Sequence, residues 1–384
     1  MKILFTANSS FNLVNFRAGL LRALFDAGHE VVALVPHDEY TDRLKETFHC
    51  KIVEFKLDRR GKSPLRETQS LAQIIAATRR TQPDAIISYT IKNNLYGGAA
   101  ARLTGIPILP NITGLGTLFS DRGFLAGFAR EMYRIVLRNA PVVFFQNTQD
   151  RDQFLKAGII APDQAYLLPG SGVDLARFTV VQMPDRARRA PVFLLIGRLL
   201  WQKGIGEFVE AARRVRAQYP ESEFCICGGF EAPSRAAVSR RVMEDWVHEG
   251  IVRYFGKQMD INPIIAQCDC VVLPTYYREG TPRSLLEAAA CGRPVITTDM
   301  PGCRDVVIDG LTGFAVAPAD IDDLTRAMLA IADCGRTKRT MMGRAGRAHI
   351  EENYDERLVI QAYLNALGRL GHPASTGVPV VSPE

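Results

Sequence analysis

The sequence predicts an α/β protein built as two Rossmann-like domains, and three observations carry that prediction. Its 384 residues exceed what one hydrophobic core usually supports. Short apolar runs alternate with segments of helical periodicity, the arrangement that builds a parallel sheet with helices on both faces. The alternation breaks at Val181 to Ala190, a polar stretch with three arginines and a proline, and then begins again.

In the first half the strand candidates are KILFTA at the N-terminus, EVVALVP, DAIISY and IPILPNI. Between them, Phe16 to Ala27, Leu71 to Arg80 and Tyr96 to Leu103 carry apolar residues at helical spacing. The second half repeats this with VFLLIG, FCICGG, VRYFG, CVVLP and PVITT, and with helices over Phe208 to Gln218 and Arg235 to His248. Two more helices are expected over Thr325 to Asp333 and Tyr354 to Leu370. The expected boundaries are a first domain at 1–180, a linker at 181–190, a second domain at 191–351, a terminal helix at 352–371 and a loose tail at 372–384.

Composition is that of an ordinary globular chain, 47% hydrophobic and 23% charged. No apolar run approaches the roughly 20 residues that span a bilayer, and the N-terminus enters a strand pattern without a secretory apolar core. A cytoplasmic protein, soluble or peripheral on a membrane, is expected. The eight cysteines are scattered. Alternation puts Cys225 with Cys227, and Cys268 with Cys270, on one strand face each, without the spacing of a zinc site, so no metal is expected. Through Arg177 there are 22 Lys and Arg against 16 Asp and Glu, while the remainder balances at 25 against 25. A basic first half suits a phosphate-bearing substrate, an anionic membrane or nucleic acid. The chain has no aromatic-basic RNA motif or basic recognition helix, which argues against nucleic acid. NSSFN after the first strand stands where a dinucleotide fingerprint would need glycines, which argues against such a cofactor.

The richest stretch is Glu279 to Val295, EGTPRSLLEAAACGRPV. Thr281 can cap a helix, Pro282 suits its first turn, and Gly280 permits close backbone approach, so free N–H groups from Arg283 onward would face an anion. Eight residues separate Glu279 from Glu287. Continued backward through the turn, the helix would bring Glu287 to within about 80° of the direction of Glu279, leaving one carboxylate for a sugar hydroxyl near the turn and one for ribose. Solvated acids on an amphipathic helix would have the same pattern. GRLLWQKG, beginning at Gly197, follows a strand and supplies Arg198 as a fork and Lys203 as a point charge for a diphosphate.

Together, in this order, GRLLWQKG and EGTPRSLLE resemble the retaining glycosyltransferases of the GT-B fold, in the large family numbered four. The likeness covers nearly the whole chain. It implies that Arg198 and Lys203 hold the diphosphate, Glu279 a donor-sugar hydroxyl and Glu287 the ribose. The backbone of Gly280 and Thr281 would lie near sugar and phosphate, and the turn around Lys257 near the uracil. It further implies that the terminal helix crosses back onto the first domain. FNLVNFR, TIKNNLYGG with Lys92, and NITGLGT resemble a narrower subgroup, bacterial N-acetylgalactosaminyl- and N-acetylglucosaminyl-type transferases that extend polyprenyl-diphosphate-linked saccharides.

That subgroup implies a UDP-sugar donor, a polyprenyl-diphosphate acceptor and contact with the cytoplasmic face of an anionic inner membrane. Arg59, Arg60 and Lys62 in DRRGKSP are either a solvated turn or a site for anionic lipid. FLAGFAREMYRIVLR is either an interfacial helix or a core-facing helix with a basic outer side. Many members of the wider family place a histidine near the reacting carbon, and none of the six here matches it. Asn111, Thr113, Gly114 and Gly116 occupy that neighbourhood, and none is an evident base. In the implied mechanism Arg198, Lys203 and the helix N-terminus stabilise the departing diphosphate without a metal or other cofactor, and a phosphate oxygen takes the acceptor proton. Two rival readings remain: a same-fold enzyme, either an NDP-sugar epimerase or a transferase with a soluble acceptor, and a non-catalytic nucleotide-sugar binder.

Overall fold

The computed structural model describes every residue except 58–63, 116–123, 186–190, 233 and 372–384. In the first domain the strands are β1 (Lys2–Thr6), β2 (Glu30–Val35), β3 (Lys51–Glu54), β4 (Ala85–Tyr89), β5 (Ile108–Ile112), β6 (Val143–Phe145) and β7 (Ala165–Leu167). They form a parallel sheet in the order β3-β2-β1-β4-β5-β6-β7. In the second, β8 (Val192–Ile196), β9 (Glu223–Cys227), β10 (Arg253–Tyr254), β11 (Cys270–Leu273), β12 (Val295–Thr298) and β13 (Gly313–Val316) form the parallel order β10-β9-β8-β11-β12-β13. Each order reverses once, at β1/β4 and at β8/β11. A doubly wound sheet opens its ligand crevice at such a reversal, beyond the carboxyl ends of the strands.

Strand alternation explains how each sheet fills two core layers. Ile3 and Phe5 pack with Leu21, Leu24 and Val31, whereas Leu4 between them packs with Ile74, Ile86 and Leu137 on the other face. In the second domain Phe193 and Leu195 separate from Val192 and Leu194 in the same way. Cys225 and Cys227 share a layer, as expected. Cys268 and Cys270 do not, because β11 starts only at Cys270 and the turn before it puts Cys268 in the opposite layer. All eight cysteines are buried thiols.

The helix expected over Phe16 to Ala27 is two helices, Ser10–Phe16 and Ala18–Asp26, which break at Arg17 with φ −134°. The helix expected from Arg235 starts at Arg240, where the Ser239 hydroxyl accepts from the Val242 N–H at 3.3 Å. Asp320 caps Ile321–Asp333 likewise through the Asp323 N–H at 2.9 Å, four residues earlier than expected.

The terminal helix, Glu356–Gly371, returns to the first domain. There Val359, Ala362, Tyr363 and Leu367 are buried, and Tyr363 lies 4.5 Å from Phe144 between ring centroids. The outward crossing comes earlier than the expected linker at 181–190. Leu168 belongs to the first domain's core, while Val173 and Phe178 belong to the second's. Val181 and Gln182 carbonyls accept from the buried Arg293 guanidinium at 2.6 and 3.3 Å, so this segment is fastened to the second domain before the polar stretch begins. The two crossings run side by side: the Val173 N–H donates to the Tyr354 carbonyl at 2.8 Å, and the Glu356 N–H donates to the Val173 carbonyl at 3.1 Å.

Candidate active site

The second domain's crevice is built from the turn after β8 and the segment after β11. Gly197 and Arg198 leave β8, a single 3-10 turn spans Trp201–Lys203, and Gly204 opens the Ile205–Gln218 helix. The Gln202 carbonyl accepts from the N–H groups of Tyr276 and Tyr277 at 3.0 and 3.1 Å and from the Thr275 hydroxyl at 3.0 Å, tying the two segments together. This brings Lys203 and Glu279, 76 residues apart, into a direct ion pair between ammonium and carboxylate. Lys203 is only 8% exposed. Arg198 does not join it: its side chain is 54% exposed and lies 3.4 Å from Glu231 on the rim. The Tyr277 hydroxyl lies between them electrically. Burial pushes its pKa up, Arg198 opposes this, and Glu279 adds to it.

The expected anion-facing helix is Arg283–Ala290, but Thr281 does not cap it. Pro282 occupies the cap position, and the Thr281 hydroxyl donates to the Gln146 carbonyl of the first domain at 3.0 Å. Without a side-chain cap, the Arg283 and Ser284 N–H groups are outside the helix's own bonding, while Leu285 and Leu286 turn back to the Pro282 carbonyl. Glu287 sits one helical turn on and accepts from Arg283 Nε at 2.9 Å. Burial raises the Glu287 pKa, and Arg283 pulls it back. Glu279 precedes the helix, on the far side of the Gly280–Pro282 turn, and Glu287 lies within it.

The segment Arg278 to Thr281 is also where the domains touch. Asn147 caps the Thr148–Lys156 helix by accepting from the Asp150 N–H at 2.8 Å, and its Nδ2 donates to the Glu279 carbonyl at 3.3 Å. Arg278 reaches Gln153 at 3.3 Å and the buried Asp150 at 3.7 Å. The two backbones approach so closely that only glycine fits. A Cβ on Gly280 would lie 2.9 Å from the Thr113 carbonyl oxygen, and one on Gly114, at φ +109°, would lie 2.8 Å from the Gly280 nitrogen. Gln146, Asn147, Asp150 and Arg278 were not singled out from the sequence. Asn147 three residues before an acidic residue, ahead of a helix, was the one local signal available.

Several expected site residues have other duties. Asn111 lies wholly buried in β5, where its Nδ2 donates to the Tyr363 hydroxyl at 3.0 Å and its Oδ1 accepts from Gln146 at 3.2 Å. It locks the returning helix and is sealed from an acceptor. Lys92 pairs with Glu67. Lys257 pairs with Glu39 and lies 5.0 Å above the Tyr40 ring and 5.5 Å from the Phe11 ring, so its side chain is committed to the first domain. Arg59, Arg60, Lys62 and Gly116 lie outside the described residues. The Phe124–Leu137 helix faces the core through Ala126, Ala129, Tyr133 and Leu137 and leaves Phe128 and Ile135 exposed. Among the described residues, no three His, Cys, Asp or Glu side chains converge as metal ligands, and no helix is long and apolar enough to cross a membrane.

Comparison with known proteins shows the family and the fold. Residues 15–170 match the glycosyl transferase 4-like domain, and residues 190–333 match the glycosyl transferases group 1 domain. The chain is 30% identical over 288 residues to the GDP-mannose-dependent alpha-(1-6)-phosphatidylinositol monomannoside mannosyltransferase of Mycolicibacterium smegmatis, spanning 68% of this chain and 73% of that one. The chain belongs to the group 1 glycosyltransferases. This glycosyltransferase is also 26% identical over 386 residues to the N,N'-diacetylbacillosaminyl-diphospho-undecaprenol alpha-1,3-N-acetylgalactosaminyltransferase of Campylobacter jejuni, covering 96% of this chain and 99% of the other. Its fold matches that of Anabaena HepE in complex with UDP-glucose, with a TM-score of 0.73 at 18% identity, over 96% of this chain and 99% of that one. The architecture is GT-B, with the Lys203–Glu279 pair in the cleft between its domains.

Proposed function

We infer that this glycosyltransferase moves a sugar, with retention, from a UDP-sugar to a polyprenyl-diphosphate-linked saccharide. The observation that carries the reading is the buried Lys203–Glu279 pair at the β8/β11 crevice, beside a helix whose first N–H groups are uncapped. Lys203, Arg198 and those N–H groups hold the diphosphate, Glu287 takes the ribose hydroxyls, and Glu279 takes a hydroxyl of the donor sugar. The acceptor oxygen bonds to the anomeric carbon as its bond to the diphosphate breaks. The acceptor's proton passes to a diphosphate oxygen on the same face, and UDP departs. The growing negative charge is met by Lys203 and Arg198, so the reaction runs without a metal ion. The Campylobacter jejuni relative's lipid-linked acceptor and the UDP-glucose of the Anabaena structure support the two substrates. The excess positive charge of the first half and the exposed Phe128 and Ile135 support peripheral contact with the cytoplasmic face of an anionic membrane.

The test is nucleotide release by the purified full chain from a panel of UDP-sugars and GDP-mannose, with and without an undecaprenyl-diphosphate-linked saccharide. The reading expects UDP release that depends on the lipid acceptor. Epimerisation of the UDP-sugar without acceptor, transfer only to soluble sugars, or a preference for GDP-mannose would overturn it.

A further inference from the structure

Arg17, in the FNLVNFR stretch, is a buried cation with no counter-charge among the described residues. It occupies the break between helices Ser10–Phe16 and Ala18–Asp26 and is 3% exposed. Its guanidinium carbon lies 4.3 Å from the centroid of the Tyr89 ring. Nε and Nη1 are buried, and among the described residues they have no hydrogen-bond partner and no carboxylate pairs with the group. Two other buried arginines are better compensated, although the Arg339 Nε also lacks a hydrogen bond and has only the Asp269 carboxylate 3.8 Å away. Arg293 donates to the carbonyls of Ile265, Val181, Gln182 and Ala266, and Arg339 donates to the Ile331 carbonyl beside Asp269. A desolvated charge left uncompensated is costly, so a fold that keeps one is poised for an anion.

Its place in the fold says where that anion comes from. Tyr89 is the last residue of β4 and Thr6 the last of β1, and the first sheet reverses its order between these two strands. Ser10–Phe16 faces the second domain across the cleft, since Phe11 meets Lys257 and the Phe16 ring centroid lies 5.9 Å from the Arg283 guanidinium. The crevice lacks the glycine turn that would cradle phosphates by backbone alone, which leaves a side chain to do it. We propose that Arg17 is the anion-binding residue of the first domain and that it holds the diphosphate of the acceptor. This deepens the functional reading above and rests on it. The planar guanidinium suits paired phosphate oxygens in a way a lysine ammonium does not.

The experiment is calorimetric titration of the full chain, saturated with UDP so that the donor crevice is filled, with geranyl diphosphate and, in a parallel arm, inorganic pyrophosphate. Arg17→Met is expected to weaken geranyl diphosphate binding at least tenfold with UDP affinity unchanged. It should also melt at or above the parent's temperature without ligand, because it removes an unpaired buried charge. Pyrophosphate binding that is tenfold weaker than geranyl diphosphate in the parent identifies a prenyl lipid as the source, and equal binding identifies a free phosphate; both must depend on Arg17. Should Arg17→Met fail to fold, Arg17→Lys decides: at least threefold weaker binding at parental UDP affinity supports the site. Parent-like geranyl diphosphate affinity in Arg17→Met or in Arg17→Lys overturns it. If the parent binds geranyl diphosphate through Arg17 yet transfers no sugar to a lipid-linked saccharide, the functional reading fails while the anion site stands.

Discussion

Replacing Lys203 with methionine removes the charge and keeps the length of the side chain, leaving the Glu279 carboxylate in a site where the two side chains are only 10% and 15% exposed. Breaking a buried pair from one side costs about 3–5 kcal/mol, because the remaining charge has lost its partner and cannot regain water. At about 2–4 °C per kcal/mol for a domain of this size, Lys203→Met should melt roughly 6–20 °C below the parent at pH 8. Lys203→Met with Glu279→Gln together should recover most of the loss, since neither charge remains. Turnover should fall at least tenfold in both single variants and in the double, because both groups act on the bound donor. Calorimetric melting at pH 8, with acceptor-dependent UDP release on the same preparations, gives the full cycle. Melting of Lys203→Met within about 2 °C of the parent at pH 8, or strictly additive losses in the double variant, would refute a coupled buried pair.

Arg198→Ala should leave the melting temperature unchanged, since its side chain is half exposed on the rim, and cut turnover at least tenfold; parental turnover at saturating donor would remove Arg198 from the diphosphate site. Burial holds the Glu287 pKa above its usual 4.5, so the native carboxyl keeps its proton to higher pH than the unfolded one. Its contribution to stability therefore falls as pH rises from about 4.5 through the raised native value, and Glu287→Gln should flatten that part of the stability–pH curve. The same substitution should weaken UDP binding in calorimetry, whereas Glu279→Gln should spare UDP and weaken only the intact donor; equal losses of UDP affinity would contradict the division. Gly280→Ala should push the Thr113 and Glu279 backbones apart, costing about 1–3 kcal/mol in a melt and on the order of a hundredfold in turnover, and normal turnover would show that the crossing does not position Glu279.

The doubly wound architecture was readable because strands buried on both faces are continuous apolar runs, and VFLLIG or DAIISY admits few other readings. The Lys203–Glu279 meeting was implied by two motifs in a fixed order, though not its burial: a lysine in a glycine-bounded turn reads as surface until the loop after β11 covers it. Asn111 misled for the opposite reason, since a polar residue beside a glycine turn looks available until the returning helix brings Tyr363 onto it. Lys257 is taken by Glu39 and Tyr40, more than 200 residues earlier, a pairing set by how the domains close and by nothing near it in the chain. Arg17 falls in the same class. Periodicity runs a helix straight through it, and only the break there and the Tyr89 ring beneath it expose the unpaired charge.

The account depends most on where the nucleotide binds, and a crystal structure of the full chain with UDP measures that directly. It should place the ribose hydroxyls within hydrogen-bond distance of Glu287, and the diphosphate between Lys203, Arg198 and the Arg283–Ser284 N–H groups, in the β8/β11 crevice. UDP seated instead at the β1/β4 crevice against Arg17, or bound in the second domain with Glu287 still held by Arg283 and out of reach of the ribose, would contradict it.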